Sequence, residues 1–306
     1  MSLLALMKGK GPSGFGYGST AEEVTDGLDL KGRTMLVTGC NSGIGHETVR
    51  VLAARGVRVM ATARTVEKAR DACKGLEGET VPLACELCEP GSVRACVEAV
   101  KKEGAKLDAI LCNAGIMAPP KLEQAFGYEK QFFTNHIGHF MLVTGLLDRL
   151  ADDGRVVMTS SDAHNMTTQG GIEFDNLSGE RDYNAWRAYG QSKLANILFV
   201  KELAKRLAST DKTANAVHPG VIATNLSRSS PIVVRAALKV AVPLFLKSEA
   251  QGAATQVFVA THPKAAGVSG EYFSDCNVGK SSHFSKDAEL AARLWKESEK
   301  IVAALP

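Results

Sequence analysis

Seven short runs rich in apolar and β-forming residues recur along this chain, at 34–38, 57–62, 81–85, 108–112, 155–160, 213–217 and 270–273. Stretches long enough for crossover helices separate them, at 43–55, 66–74, 91–103, 121–150, 184–209 and 249–261. Parallel neighbours in a sheet need a long right-handed crossover, so strand, helix and strand repeated this often predict a parallel sheet with both faces covered. The 306 residues, 45% of them hydrophobic, are enough to bury one large core. The fold class expected is therefore α/β, a doubly wound sheet of about seven strands in a single domain spanning 30–306. No repeat of solenoid period is visible.

Ahead of that domain, residues 11–18 are dense in glycine and read as a mobile arm. Ser19 or Thr20, with Glu22 or Glu23 three positions on, then makes a capping-box start for a short helix. Residues 1–29 are thus expected to form an N-terminal arm. Its first apolar residues are interrupted by Lys8 and Lys10, too soon for a membrane span or a secretory core, and the stretch is not rich in arginine and serine as a typical transit peptide is. Thirty-six basic against 33 acidic residues leave a net charge of +3, too small and too evenly spread for a nucleic-acid partner. Seven cysteines, an odd number without a secretory signal, predict reduced thiols in a protein that is not secreted. Cys85 and Cys88 have no second pair at zinc-site spacing and read as structural thiols, so no metal is expected.

Open parallel sheets bind ligands at the carboxyl ends of their strands. The first strand runs into Thr38-Gly39-Cys40-Asn41-Ser42-Gly43-Ile44-Gly45, a turn that opens a helix and lets backbone approach a pyrophosphate at the helix N-terminus. This places the sheet in the Rossmann type. The second strand ends at Ala63, followed by Arg64, where an acidic residue would accept from a ribose hydroxyl and an arginine pairs with a 2′-phosphate; NADP(H) is favoured over NAD(H). Asn113-Ala114-Gly115 follow the fourth strand. Tyr189 and Lys193 stand four apart, on one helix face, and no other tyrosine here has a lysine at that spacing. A nearby ammonium stabilises phenolate, which predicts a tyrosine pKa lowered toward working pH for acid/base work at an alcohol or carbonyl. Ser160-Ser161 end the fifth strand, where a hydroxyl can donate to an oxygen that gains charge. Asn135 reads either as a satisfied core residue or as a holder of water near the lysine, and His136 and His139 as core or substrate-edge histidines rather than metal ligands. His218-Pro219-Gly220 turn the chain after the sixth strand, toward Val221 and Thr224.

In content and order these motifs resemble the short-chain dehydrogenase/reductase family over about residues 30–280. The resemblance implies that Gly39, Asn41, Ser42, Gly43, Ile44 and Gly45 form the pyrophosphate loop and that Arg64 meets the adenosine phosphate. It implies further that Glu86 and Leu87 lie by the adenine, Asn113, Ala114 and Gly115 beside the adenosine ribose, and Val221 and Thr224 at the nicotinamide amide. Asn135, Ser161, Tyr189 and Lys193 match the catalytic tetrad, with Lys193 also on the nicotinamide ribose and Tyr189 beside the cofactor. Glu86 replaces the family's usual aspartate, Cys112 replaces a frequent asparagine, and the interval 162–188 is longer than usual. That insertion, with NHIGHF, SKLANILF, HPG and GEYFSDC, is similar to the branch holding retinol dehydrogenases, WW-domain oxidoreductases and the plant chloroplast inner-envelope translocon dehydrogenase.

The function this implies is an NADP(H)-dependent oxidoreductase interconverting a hydrophobic alcohol with its aldehyde or ketone. The rival is an NADPH-binding, redox-sensing partner of a membrane assembly. Residues 231–247 are apolar with sparse basic residues and fall in the expected substrate lid, about 225–248; they suit a greasy substrate, a peripheral membrane contact or a lid packed on its own domain. The resemblance also implies a homo-oligomer. A cytoplasmic or membrane-peripheral location is expected, with the plastid envelope as the alternative.

Overall fold

The computed structural model describes residues 8–222 and 246–306. The chain enters its sheet at the centre with β1 (Thr34–Thr38) and moves outward through α2 (Gly43–Ala54), β2 (Arg58–Ala63), α3 (Val66–Cys73) and β3 (Thr80–Ala84). It then crosses back by α4 (Pro90–Lys102) to β4 (Leu107–Cys112) on the other side of β1. From there the strands β5 (Leu150–Thr159), β6 (Thr213–His218), β7 (Tyr272–Ser274) and β8 (Asn277–Val278) extend the sheet. The spatial order is β8-β7-β6-β5-β4-β1-β2-β3, parallel throughout except for the antiparallel two-residue β8. Seven parallel strands stand where the seven apolar runs predict them. The reversal of direction between β1 and β4 opens a crevice at the carboxyl ends of both strands, the place where such sheets take ligands.

Alternation along each strand divides the core in two. Leu36, Met60, Ile110 and Met158 face α4, a helix at 130–146 (α5), α6 (Ala185–Arg206) and α8 (Ala288–Ala304). Met35, Val37, Val59 and Leu111 face α2, α3 and α7 (Glu249–Thr261). Buried on both sides, β1 is apolar without a polar face, as a central parallel strand must be. The C-terminal α8 was not among the helices expected. Asp287 caps it, and Ala291, Leu294, Trp295, Ser298 and Ile301 form its buried stripe.

Two expectations need correction. The stretch 121–150 does not form one helix: Gln124–Ala125 and Tyr128–Glu129 pair as a small hairpin, and α5 begins at Lys130. Within α5, residues Phe133–Ile137 are wound as a π-helix before regular turns resume at Gly138–Leu146. The glycine-rich stretch 11–18 is also not a loose arm. Lys10 bridges Gly16, Asn277 Oδ1 accepts from the Ser13 backbone N–H at 2.9 Å, and Phe15 packs edge-on to Phe258. A Cβ on Gly16 would lie 2.2 Å from the Gly9 carbonyl oxygen, so this glycine serves close backbone approach rather than mobility. The short helix α1 (Ala21–Val24) follows, with Thr20 and Glu23 forming the expected capping box.

All seven cysteines are free thiols. Among the described residues no cluster of ligands could hold a metal ion, and no helix is long and apolar enough to cross a membrane.

Candidate active site

β1 delivers Thr38 to the carboxyl edge, and four residues turn the chain into α2. Gly45, in the first turn, sits so close over the strand end that a Cβ would meet the Gly39 carbonyl oxygen at 2.1 Å and Asn113 Nδ2 at 2.6 Å. Ser42 caps the helix in extended conformation but makes no side-chain cap bond. The first N–H groups of α2 therefore have no side-chain acceptor, and the positive end of its dipole is open to an anion. Asn41 and Ser42 are exposed, Gly43 and Ile44 half-buried.

Arg64 lies one residue beyond β2, exposed at the same edge. Glu86 follows β3; its N–H donates to Ser92 Oγ at 2.9 Å and its carboxylate accepts from the Cys88 thiol at 3.4 Å. Leu87 turns its side chain into the core, and its carbonyl oxygen packs so close to α5 that a Cβ on Gly138 would meet it at 2.3 Å. Asn113, Ala114 and Gly115 continue from β4. Asn113 Nδ2 donates to the Thr38 carbonyl at 3.0 Å, and the Ala114 N–H to Thr38 Oγ1 at 3.0 Å, so the two loops flanking the crevice are bound together. Val221, after β6, is exposed, and Thr224 and nearly all of the expected lid lie outside the described residues.

Behind these loops a buried chain of hydrogen bonds reaches α6. Thr38 Oγ1 lies 2.9 Å from His139 Nε2, and His139 Nδ1 lies 3.0 Å from the Asn135 carbonyl oxygen. A carbonyl only accepts, so Nδ1 carries the proton and Nε2 accepts from the Thr38 hydroxyl. Burial pushes His139 down to about 4, keeping it neutral in that tautomer. The Asn135 side chain accepts from the Ile116 N–H at 2.8 Å and donates to Ser192 Oγ at 2.9 Å; Ser192 donates in turn to the Tyr189 carbonyl at 2.8 Å. His139 is thus a core histidine that holds Asn135, a link invisible in sequence because it spans 101 positions to Thr38.

Tyr189 and Lys193 share one face of α6, with Lys193 Nζ 5.6 Å from the centre of the tyrosine ring. The lysine is 3% exposed and donates to the Thr159 carbonyl at 3.1 Å. Burial pushes it down to about 8. Burial also pushes the Tyr189 phenol up to about 12, against a hydrogen bond from Ser161 that pulls it down. The spacing predicted a lowered tyrosine pKa, and this is corrected: burial raises it, and the ammonium is anchored to the Thr159 carbonyl rather than to the phenol oxygen. Ser161 is itself fixed. Its carbonyl accepts from His164 Nδ1 at 2.7 Å, and His164 Nε2 accepts from the Ser282 N–H at 2.9 Å. Ser160 points elsewhere, donating to the Lys193 carbonyl at 2.8 Å.

One group beside the site was missed. Asp162 Oδ2 lies 3.2 Å from His218 Nε2, and Tyr272 donates to Asp162 Oδ1 at 2.7 Å, which together hold this carboxyl well below the usual range. The histidine of the His-Pro-Gly turn is the sequence signal for it. The crevice therefore joins a helix N-terminus open to an anion, an exposed arginine at the far end, and a tyrosine, serine, lysine and asparagine held by buried contacts. Such a site can hold an extended anionic cofactor and move a proton at one oxygen.

Comparisons with known proteins give the family. A model of the short chain dehydrogenase family matches residues 33–232. The chain is 42% identical over its whole length to all of the short-chain dehydrogenase TIC 32 B, chloroplastic, of Brassica napus. It is 36% identical to human retinol dehydrogenase 14, over 90% of this chain and 88% of that one. A crystal structure of a putative uncharacterized protein from Mycobacterium paratuberculosis superposes with a TM-score of 0.75 at 32% identity, over 94% of this chain and 98% of that one. This chain belongs to the short-chain dehydrogenase family, whose members are oxidoreductases that bind nicotinamide cofactors.

Proposed function

We propose that this protein is an NADP(H)-dependent oxidoreductase that interconverts a hydrophobic alcohol and its aldehyde or ketone. The observation that carries the reading is the meeting of Tyr189, Ser161, Lys193 and Asn135 beside the open N-terminus of α2. The residues fit the cofactor: the uncapped first turn at Ser42 takes a pyrophosphate, exposed Arg64 takes a 2′-phosphate, and Gly39, Asn41, Gly43, Ile44, Gly45, Glu86, Leu87, Asn113, Ala114, Gly115 and Val221 serve the remainder, to which the sequence adds Thr224 from outside the described residues. When bound, the cofactor supplies hydride to the carbonyl carbon.

The chain's own residues do the rest. The Ser161 hydroxyl donates to the carbonyl oxygen as it gains charge, and Tyr189, protonated because burial holds its pKa high, gives it the proton. Lys193 supplies positive charge beside the new phenolate and a donor for the nicotinamide ribose. Asn135 holds the Ile116 loop and the Tyr189 turn of α6 in one position, next to the path by which the tyrosine is reprotonated.

The test follows NADPH oxidation across carbonyls from short polar ones to retinal, with NADH as control. Turnover that prefers NADPH and long apolar carbonyls is expected, and Arg64→Ala should weaken NADPH binding about tenfold while leaving NADH unchanged. Equal use of both cofactors would overturn the NADP(H) assignment.

The whole-length likeness to TIC 32 B supports a second reading, an NADPH-binding, redox-sensing partner of a membrane assembly at the plastid envelope. Pull-down from a native membrane extract with and without NADPH separates the two. A cofactor-sensitive partner favours the second; its absence favours a plain enzyme, cytoplasmic or peripheral to a membrane, with self-association read from gel filtration.

A further inference from the structure

A cavity of about 690 Å³ lies at the opposite, amino-terminal edge of β5, β6 and β7, roughly 20 Å from Ser161 along the extended chain. Four cations line it, Arg155, Lys201, Lys205 and Lys212, against two carboxylates, Asp153 and Asp211. Arg155 is the unusual member. It is only 8% exposed, and its Nη1 donates to the carbonyls of Val259 and His262 at 3.1 and 3.0 Å. Its remaining N–H groups have no partner among the described residues, where no carboxylate lies within 4 Å of it. Residues 1–7 and 223–245 contain no aspartate or glutamate, so no other part of this chain can supply one. Burial, and after it the repulsion of Arg33, push the guanidinium below its ordinary value against the attraction of Asp153, which acts from an exposed position without pairing with it. Thr213, also on the wall, keeps a buried hydroxyl without a partner among the described residues.

A buried cation without a counter-charge is costly, and arginine cannot escape the cost by losing its proton. We propose that this cavity binds an organic phosphate dianion, with Arg155 presenting its free N–H groups to two phosphate oxygens and Lys201, Lys205 and Lys212 closing around the charge. Lys201 also lies 4.0 Å from Glu271 Oε1, so the cavity keeps a surplus of one positive charge when that pair is counted, and the volume leaves room for more than the phosphate itself. Lys201 and Lys205 stand one turn apart on α6, the helix that also carries Tyr189 and Lys193. The site is separate from the cofactor crevice and does not depend on the activity proposed above.

The test titrates glycerol 3-phosphate and inorganic phosphate into the full chain by calorimetry at constant ionic strength. Binding is expected, tighter for the organic phosphate, and the double variant Lys201→Gln, Lys205→Gln should weaken it about tenfold with an unchanged melting temperature. Arg155→Gln should abolish it, but that variant also loses contacts to α7, so the lysine pair decides. Arg64→Ala should leave the affinity unchanged. Binding lost in Arg64→Ala and kept in the lysine variant would overturn the proposal, because the phosphate would then occupy the cofactor crevice. Co-sedimentation with phosphatidic acid or phosphatidylcholine vesicles identifies the source. Capture by the first alone, weakened in the lysine variant, points to a lipid headgroup; glycerol 3-phosphate binding without capture points to a soluble ester; neither overturns the proposal.

Discussion

Strand β5 has a buried cation near each end of its pairing with β6. Near its carboxyl end, Lys193 is 3% exposed and bonded to the Thr159 carbonyl; where its pairing with β6 begins, Arg155 is 8% exposed and bonded to the carbonyls of Val259 and His262. Neither pairs with a carboxylate among the described residues. The difference lies in what each can do about it. Lysine yields to burial, down to about 8, and becomes a group that titrates near working pH. Arginine stays charged and calls for an anion. One fold thus carries the same electrostatic cost twice, and the two roles proposed above, chemistry for the lysine and recognition for the arginine, are two answers to it.

The largest effect expected from breaking this arrangement is at the carboxyl end. Tyr189→Phe should lower the rate of carbonyl reduction by about 10²–10⁴-fold while NADPH titration gives an unchanged affinity. Substantial residual turnover would remove the tyrosine from its role. Next comes Lys193→Arg, which fixes the charge that the lysine can lose. In the native protein reduction should fall above about pH 8, since Tyr189 stays protonated to about 12 but Lys193 loses its proton near 8. The variant should be about a hundredfold slower, its planar fork misplaced beside the phenol, with no such fall in its pH–rate profile. A fall kept in the variant would assign it to another group.

A smaller loss follows when the link behind the lysine is cut. His139→Leu removes two buried hydrogen bonds, one from the Thr38 hydroxyl and one to the Asn135 carbonyl, at about 0.5–1.5 kcal/mol each, measurable by denaturant unfolding. His139→Asn can restore the donor to Asn135 and should regain part of the turnover; equal turnover in both variants would make the histidine a packing residue only. The smallest effect belongs to the other cation. Arg155→Met loses two hydrogen bonds but removes an unpaired buried charge, so its stability should change by no more than about 1 kcal/mol. A loss several times larger would mean that the arginine is there to hold α7.

Legibility in the sequence followed the range of the contacts. The alternation of runs located every parallel strand and the helices α2, α3, α4, α6 and α7, because each reflects a local period. The loop glycines and the Tyr189–Lys193 spacing were readable for the same reason. The π-turns around Asn135 were not, since residues 131–143 are buried on every side, polar ones included, and carry no period to betray a change of winding. Phe15 and Ser13 gave no sign of packing, because their partners, Phe258 and Asn277, stand more than 240 positions away. The tyrosine pKa was misjudged because spacing reports a neighbour but not burial.

That long reach of the first segment sets an order of events during synthesis. Ser13 and Phe15 both bond to Asn277, so the beginning of the chain cannot be seated until almost the last strand exists. The central strands have their partners closer in sequence, whereas these contacts of residues 13–15 need β8 to be present.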